Sequence, residues 1–515
     1  MVLAMALSPA MTAVWAVPGF VTQDGPSHLY NAHILNESLR SDSPFTEVFQ
    51  ARLAPLPNWS GHIVAMGLLT ILSPRQADCA LTTIPMIALA ASTFWLRRRV
   101  AGRDGESMAA IMCALISLNV AWLFGFTSFL LGACLFPITL GVWWQGRNGL
   151  SAGRIAGLAA LGVLGYFGHL VSLGLTVVGL GVLTVTTTGF RISRLVRTGI
   201  ALTPLLFLGA IYRSLMRAGG PIEPKWGHMR NVLSPLSWRE QLGWADPISL
   251  GRKVVFPGFA TESRWFGLLS PATLLGIALV LLIVRSVRRW QPERRGWAIL
   301  SAILVIGGIA SPDTLGSAHG NYLPQRIVLM GLVAMVPWLD LGKSRRIAFG
   351  LILIALVIQS WTVWTYAFEC QRDVAPMLRG ITQIGIRQRV GTLLVNPRGG
   401  FRANPRLHVD SLAGVGTGNI LWANYETVHY YFPVQFREEL RHPSAAEFEE
   451  IAKLDHPADA SERSLRWLKL LAEHHREIDV ILAWGADPTL DVITMRWFEP
   501  VPLYESGSWR MLRHR

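Results

Sequence analysis

The chain has 515 residues, of which 51% are hydrophobic and only 16% charged, and its mean hydropathy is +0.36. That is too apolar for a soluble protein and long enough for several membrane spans plus a domain, so the composition is that of an integral membrane protein. A net charge of +14 would suggest nucleic acid in a soluble chain, but much of the arginine falls in short runs between hydrophobic segments, which points to a membrane and away from a nucleic-acid partner.

The N-terminal apolar run lacks a basic flank and a well-matched cleavage site, which argues against a cleaved signal peptide. A crossing helix needs about 20 apolar residues. Runs of that kind number about eleven, near 2–20, 79–97, 107–123, 126–144, 154–168, 170–188, 195–214, 265–284, 296–310, 325–341 and 346–367. With the N-terminus inside, the loops on the cytoplasmic face carry Arg97, Arg98, Arg99 and Arg103; Arg147 and Arg154; Arg191, Arg194 and Arg197; Arg285, Arg288, Arg289, Arg294 and Arg295; and Lys343, Arg345 and Arg346. The short loops opposite carry almost no basic residues, which sets the orientation. The excess of arginine over lysine suggests a bacterial inner (plasma) membrane. Cysteine is sparse, with neither a disulfide framework nor zinc-ligand spacing.

The first external loop, 21–78, opens with TQDGPSHLYNA at 22–32. Asp24, His28 and Tyr30 stand there just outside a span. Asp24 reads either as a reactive acid or as the N-cap of a helix whose first turn holds Pro26. Within the same loop Gly61 to Leu72 is apolar but too short to cross, and reads as a helix lying at the interface or half inserted. The run 155–188 is too long for one span, so Gly168 and His169 mark its external turn; His169 reads as either a structural or a working residue. A second external loop, 215–264, carries Lys225, His228 and Arg230, which would favour an anionic lipid phosphate or simply be solvated. The third, 311–325, contains His319 and delivers Arg326 to the mouth of the next span, to snorkel or to bind a phosphate with its planar fork.

After residue 367 charges, prolines and histidines become frequent and no further span follows. Residues 368–515 therefore read as a soluble α/β domain on the external, periplasmic side of a transmembrane domain, 1–367. Its expected parts are a strand over Arg389 to Asn396, an amphipathic helix over Ser461 to Glu477 with Leu465, Leu468, Leu471 and Ala472 inward, a buried strand over Asp479 to Trp484, and a closing hairpin of Val501 to Tyr504 with Trp509 to Leu512. The aromatic cluster Trp422, Tyr425, Tyr430 and Tyr431 reads as core of this domain or as a binding surface. No Gly-rich phosphate loop is present.

The layout of first span, external acid, interfacial helices, many-span bundle and external C-terminal domain resembles the GT-C superfamily of membrane glycosyltransferases. The residues that carry the resemblance are TQDGPSHLYNA at 22–32, GFTSFLLG at 125–132 and YLPQR at 322–326. It implies an α-helical polytopic fold and transfer of a sugar from a polyprenyl-phosphate-linked donor, with Asp24 as the acid that acts as general base or supports a metal. Many members have a second acid beside the first, where this chain has Gly25, so a divalent cation stays an open question. Arg326, Lys225 and Arg230 would hold the donor phosphate, with His28, Tyr30, His169, His228 and His319 supporting. The alternatives are a lipid-carrier flippase or transporter, and a non-catalytic assembly protein of envelope polysaccharide.

Overall fold

The computed structural model describes residues 1–39, 43–188, 191–215, 223–226, 271–316, 320–342, 346–397, 399–401, 403–454 and 456–515. His228, Arg230 and His319, and nearly all of the loop 215–264, lie outside the described residues. Among the described residues each of the apolar runs contains a helix. Among the described residues five helices are long and apolar enough to cross a membrane, in the segments Pro74–Ala101, Thr127–Gln145, Leu170–Thr187, Ile192–Leu215 and Arg346–Ile384. The protein is thus an integral membrane protein, with five of the eleven expected crossings supported by length and composition.

Several runs make shorter helices for identifiable reasons. The run 107–123 breaks into Glu106–Ser117 and Val120–Leu123, because the Asn119 carboxamide accepts from the Trp122 backbone N–H at 3.2 Å and starts a new helix. The first helix, Val2–Ala16, stops just before Pro18, and Leu323–Met335 stops just before Pro337, since a proline has no N–H with which to continue the ladder.

The chain divides into two compact units. One consists of Met1–Met11, Pro55–Ser60 and Thr83–Trp364, the other of Thr12–Ala54, Gly61–Thr82 and Thr365–Arg515. In the first, Thr127–Gln145, Ala152–Gly168, Leu170–Thr188 and Ile192–Leu215 run up and down as neighbours, and Arg295–Ala310 packs along Leu323–Met335. A Cβ on Gly308 would stand 2.9 Å from the Val328 backbone nitrogen, and one on Gly331 3.0 Å from that of Val305. The two glycines thus let these helices approach backbone to backbone, as small residues do at membrane helix interfaces.

In the second unit strands β1 (Phe49–Ala51) and β4 (Val434–Phe436) form an antiparallel pair. A mixed five-stranded sheet has the order β3 (Ile420–Leu421), β2 (Arg389–Leu394), β5 (Val480–Trp484), β7 (Trp509–Arg513) and β6 (Tyr504–Ser506). Strand β5, VILAW, is buried along its whole length and pairs in parallel with β2, which is why it reads as an unbroken apolar run. The closing hairpin is β6 with β7, so its first strand starts at Tyr504, where the expected strand ended. The amphipathic helix is Ala460–His474, but its inner face is Arg463, Trp467, Leu470 and Leu471, and Leu465 is 66% exposed. The buried stripe follows Trp467, whose indole N–H donates to the Thr494 hydroxyl at 2.9 Å; that partner fixes a rotation that leucine spacing alone does not.

Candidate functional site

In the second unit, helix Gly25–Glu37 begins directly after Asp24 with Pro26 in its first turn. Asp24 occupies the N-cap position with helical backbone angles and makes no side-chain capping bond. A side chain that caps takes an extended backbone so that its oxygen can reach back to the helix N–H groups. The carboxylate turns elsewhere: it accepts from the Gln23 amide at 3.2 Å, and the His408 Nε2 stands 3.8 Å away. Its side chain is only 13% exposed. Burial raises the Asp24 pKa, with His408, His28 and the Gln23 bond pulling the other way. His408 itself is held at φ 61°, in the left-handed region that a residue with a Cβ rarely adopts, and its ring stacks on Tyr425 at 4.2 Å.

Beside it lies a second carboxylate with the opposite behaviour. Glu426 is fully buried and bridges two imidazoles, His28 Nδ1 at 2.6 Å and His62 Nε2 at 2.8 Å. Burial alone would raise its pKa, but the two rings outweigh that and hold it at about 2. Glu426 is therefore an ionised acceptor at every working pH, which fixes the tautomers: His28 donates from Nδ1 and His62 from Nε2. Both rings also pack on Phe432, at 6.1 and 5.8 Å. Two carboxylates whose surroundings push their pKa values apart separate a group that can take a proton, Asp24, from one that stays charged, Glu426.

The loop carrying Glu426 is locked to helix Gly25–Glu37 by a reciprocal amide pair. Asn31 and Asn424 each donate from Nδ2 to the other's Oδ1 at 2.9 Å, both fully buried. Tyr30 adds a tie, its hydroxyl donating to the Asn419 carbonyl at 2.9 Å and accepting from the Leu421 N–H at 3.1 Å. Burial raises the Tyr30 pKa, so the phenol stays protonated.

His28, His62 and Glu426 also form a group whose ligand atoms all lie within 4.8 Å of one another. Two imidazole nitrogens and one carboxylate are a donor set for a divalent transition ion. Asp24 is not in that group, so a metal-supporting role would fall to Glu426. His62 Nδ1 has no hydrogen-bond partner, whereas metal-bound imidazoles usually donate from their second nitrogen.

In the first unit, Arg326 is 7% exposed, which rules out snorkelling to the headgroups. Its guanidinium lies over Phe126 at 4.6 Å and Phe129 at 5.0 Å, and Nη1 stands 2.7 Å from His169 Nε2. The two short stretches 125–132 and 322–326 therefore meet. Tyr322, at φ 59°, turns the chain into helix Leu323–Met335, and its ring packs on Phe124 and Phe126 at 4.9 and 5.6 Å. His169 ends helix Ala152–Gly168, and its Nδ1 accepts from the Val171 N–H at 3.1 Å. Burial and the neighbouring guanidinium both lower its pKa well below the ordinary value. A neutral imidazole has one acceptor nitrogen, so the bonds to Val171 and to Arg326 are alternatives. The 2.7 Å contact is a hydrogen bond in the tautomer whose Nε2 accepts from Arg326, which holds the guanidinium in place.

Of the remaining expected residues, Lys225 has an exposed side chain, and its backbone pairs with that of Thr314. His62, His408 and Glu426 escaped the sequence reading. His62 and Glu426 each carried a faint signal, a lone polar residue in an apolar helix and a lone acid among aromatics; His408 carried none.

No protein-family model matches the chain, and no curated protein does. Two solved structures of ArnT from Cupriavidus metallidurans do match in fold. The one bound to undecaprenyl phosphate has a TM-score of 0.53 at 12% identity, covering 99% of this chain and 97% of that one. The one in the apo state has a TM-score of 0.52 at 12% identity, covering 99% and 96%. The chain is an integral membrane protein that shares the fold of these ArnT structures.

Proposed function

We propose that this protein transfers a sugar from a polyprenyl-phosphate carrier to an acceptor hydroxyl, with Asp24 as the general base. The observation that carries this reading is the Asp24 carboxylate, which is nearly buried, raised in pKa and not spent on capping its helix. A carboxylate so placed is a stronger base than an exposed one. In the step, Asp24 takes the acceptor proton as that oxygen bonds to the anomeric carbon. The bond from that carbon to the lipid phosphate breaks, and the phosphate leaves with the electron pair. The planar fork that the sequence offers for the departing phosphate is that of Arg326, whose guanidinium His169 positions. Glu426, with His28 and His62, holds the first loop in place. A divalent ion, if these three hold one, would supply a further positive charge. Capture of undecaprenyl phosphate by the ArnT of like fold supports a polyprenyl phosphate as the lipid. The arginine distribution supports a reaction on the external face with 368–515 as a periplasmic domain, and the positive charges of Lys225 and Arg230 support a role for them as further phosphate contacts.

The test is purified protein with a panel of polyprenyl-phosphate sugars, followed for transfer or hydrolysis. Asp24→Asn keeps the shape but loses the proton acceptor, and turnover should fall by about a hundredfold or more. An active wild type whose Asp24→Asn variant turns over equally fast would remove Asp24 from the mechanism. Movement of the lipid across a bilayer with no sugar transferred would replace the enzyme by a carrier.

A further inference from the structure

The turn 146–151 and the first turns of helix Ile192–Leu215 lie side by side, since Arg194 and Arg197 reach the carbonyls of Asn148 and Leu150. Between them is a cavity of about 230 Å³ lined by Arg147, Arg191, Arg194 and Arg197, with Trp143 and Thr198 at its wall. Its size is below that of most pockets for drug-sized ligands, roughly 300 Å³ upward. No acid lines it.

Four arginines of the other basic loops have carboxylate partners, while Arg97 donates to the Pro337 and Asp104 carbonyls. Arg98 and Arg103 pair with Glu106, and Arg285 and Arg289 with Asp340. Three of the four in the cavity donate to backbone carbonyls: Arg147 to Trp144 at 3.0 Å, Arg197 to Leu150 at 3.2 Å and Arg194 to Asn148 at 3.4 Å. Arg147 also lies over the Trp144 ring at 4.3 Å. Four like charges gathered in one cavity repel one another, and an anion seated among them removes that repulsion. Directly beside Arg191, Arg194 and Arg197, the residues Ile192, Val196 and Ile200 form an apolar stripe at helical spacing, 77%, 52% and 52% exposed. A basic pocket continuous with an exposed apolar helix face matches both parts of a phospholipid: phosphate in the cavity, acyl chain along the stripe.

We infer that this cavity binds the phosphate headgroup of an anionic membrane lipid from the inner leaflet, at a site separate from the proposed chemistry. Native mass spectrometry of the full chain in zwitterionic detergent, given equal amounts of phosphatidylglycerol and phosphatidylcholine, tests it. The wild type should retain phosphatidylglycerol in preference. The variant Arg191→Gln/Arg194→Gln/Arg197→Gln should weaken that retention by about a hundredfold, at roughly fivefold per arginine facing an anionic headgroup. The control Arg99→Gln/Arg103→Gln/Arg288→Gln removes the same charge outside the cavity and should retain the lipid as the wild type does. Should the first variant fail to fold, Arg194→Lys/Arg197→Lys keeps the charge, loses the planar forks and should still weaken retention. Equal retention of phosphatidylcholine, or equal loss in the control, overturns the site. Inorganic phosphate without lipid should leave the melting temperature unchanged; stabilisation by phosphate alone would make this a free-anion pocket and overturn the lipid assignment.

Discussion

Removing the charge at the centre of the His28–Glu426–His62 bridge tests the organisation of the first loop without touching Asp24. In Glu426→Gln the shape is kept, and a tautomer change in one imidazole restores both hydrogen bonds, so the loss is chiefly the electrostatic one. The folded protein holds Glu426 at about 2 instead of the ordinary 4.5. Such a difference corresponds to about 3 kcal/mol of stability. Its sign follows from the proton count. A carboxylate with a lowered folded pKa contributes its full stabilisation above 4.5 and loses it as pH falls toward about 2. The variant should therefore melt lower than wild type near neutral pH, by about 6–12 °C for a cooperative unit of some two hundred residues. The gap between the two should close as pH falls below about 4. Thermal scans of both proteins in the same detergent over that pH range measure it. Equal melting near neutral pH, or a gap that does not change with acid, would refute the view that the ionised Glu426 holds His28 and His62.

Transfer by the wild type should rise with pH through a raised Asp24 pKa, since only the ionised carboxylate accepts a proton; a pH profile of kcat that is flat through the acid range counts against it. Arg326→Lys keeps a charge but loses the fork and the stacking on Phe126 and Phe129, so use of the lipid donor should weaken by at least about tenfold with expression intact, read as a rise in KM. Asn424→Ala leaves the buried Asn31 amide without its partner and should cost about 1–3 kcal/mol, measured by thermal melt. In a background without the native cysteines, all four of which are buried, a cysteine at the exposed Glu505 should label from outside and one at the exposed Gly102 should not; the reverse pattern inverts the orientation.

Hydropathy and turn chemistry are local quantities, and what depends on them was legible in the sequence. The apolar runs from Thr127 to Leu215 became helices nearly at their expected bounds, with the break at His169. Strands β2 and β5 also fell where their apolar runs lie. Asp24, His169 and Arg326 were recognisable because each is a polar group where a membrane chain gains nothing from one. Which groups meet was decided only by the tertiary structure. His169 reaches Arg326 across 157 positions, and His28 reaches Glu426 across 398. The meeting of His28 with Glu426 rests on the packing of helix Gly25–Glu37 against the loop at Asn424, an interaction to which no local propensity contributes. For the same reason the role of Asp24 could not be read from its neighbours in sequence. Asp-Gly-Pro permits a capping side chain, and only the approach of His408 and the helical backbone angles at Asp24 turn the carboxylate away from the helix and toward the buried polar cluster.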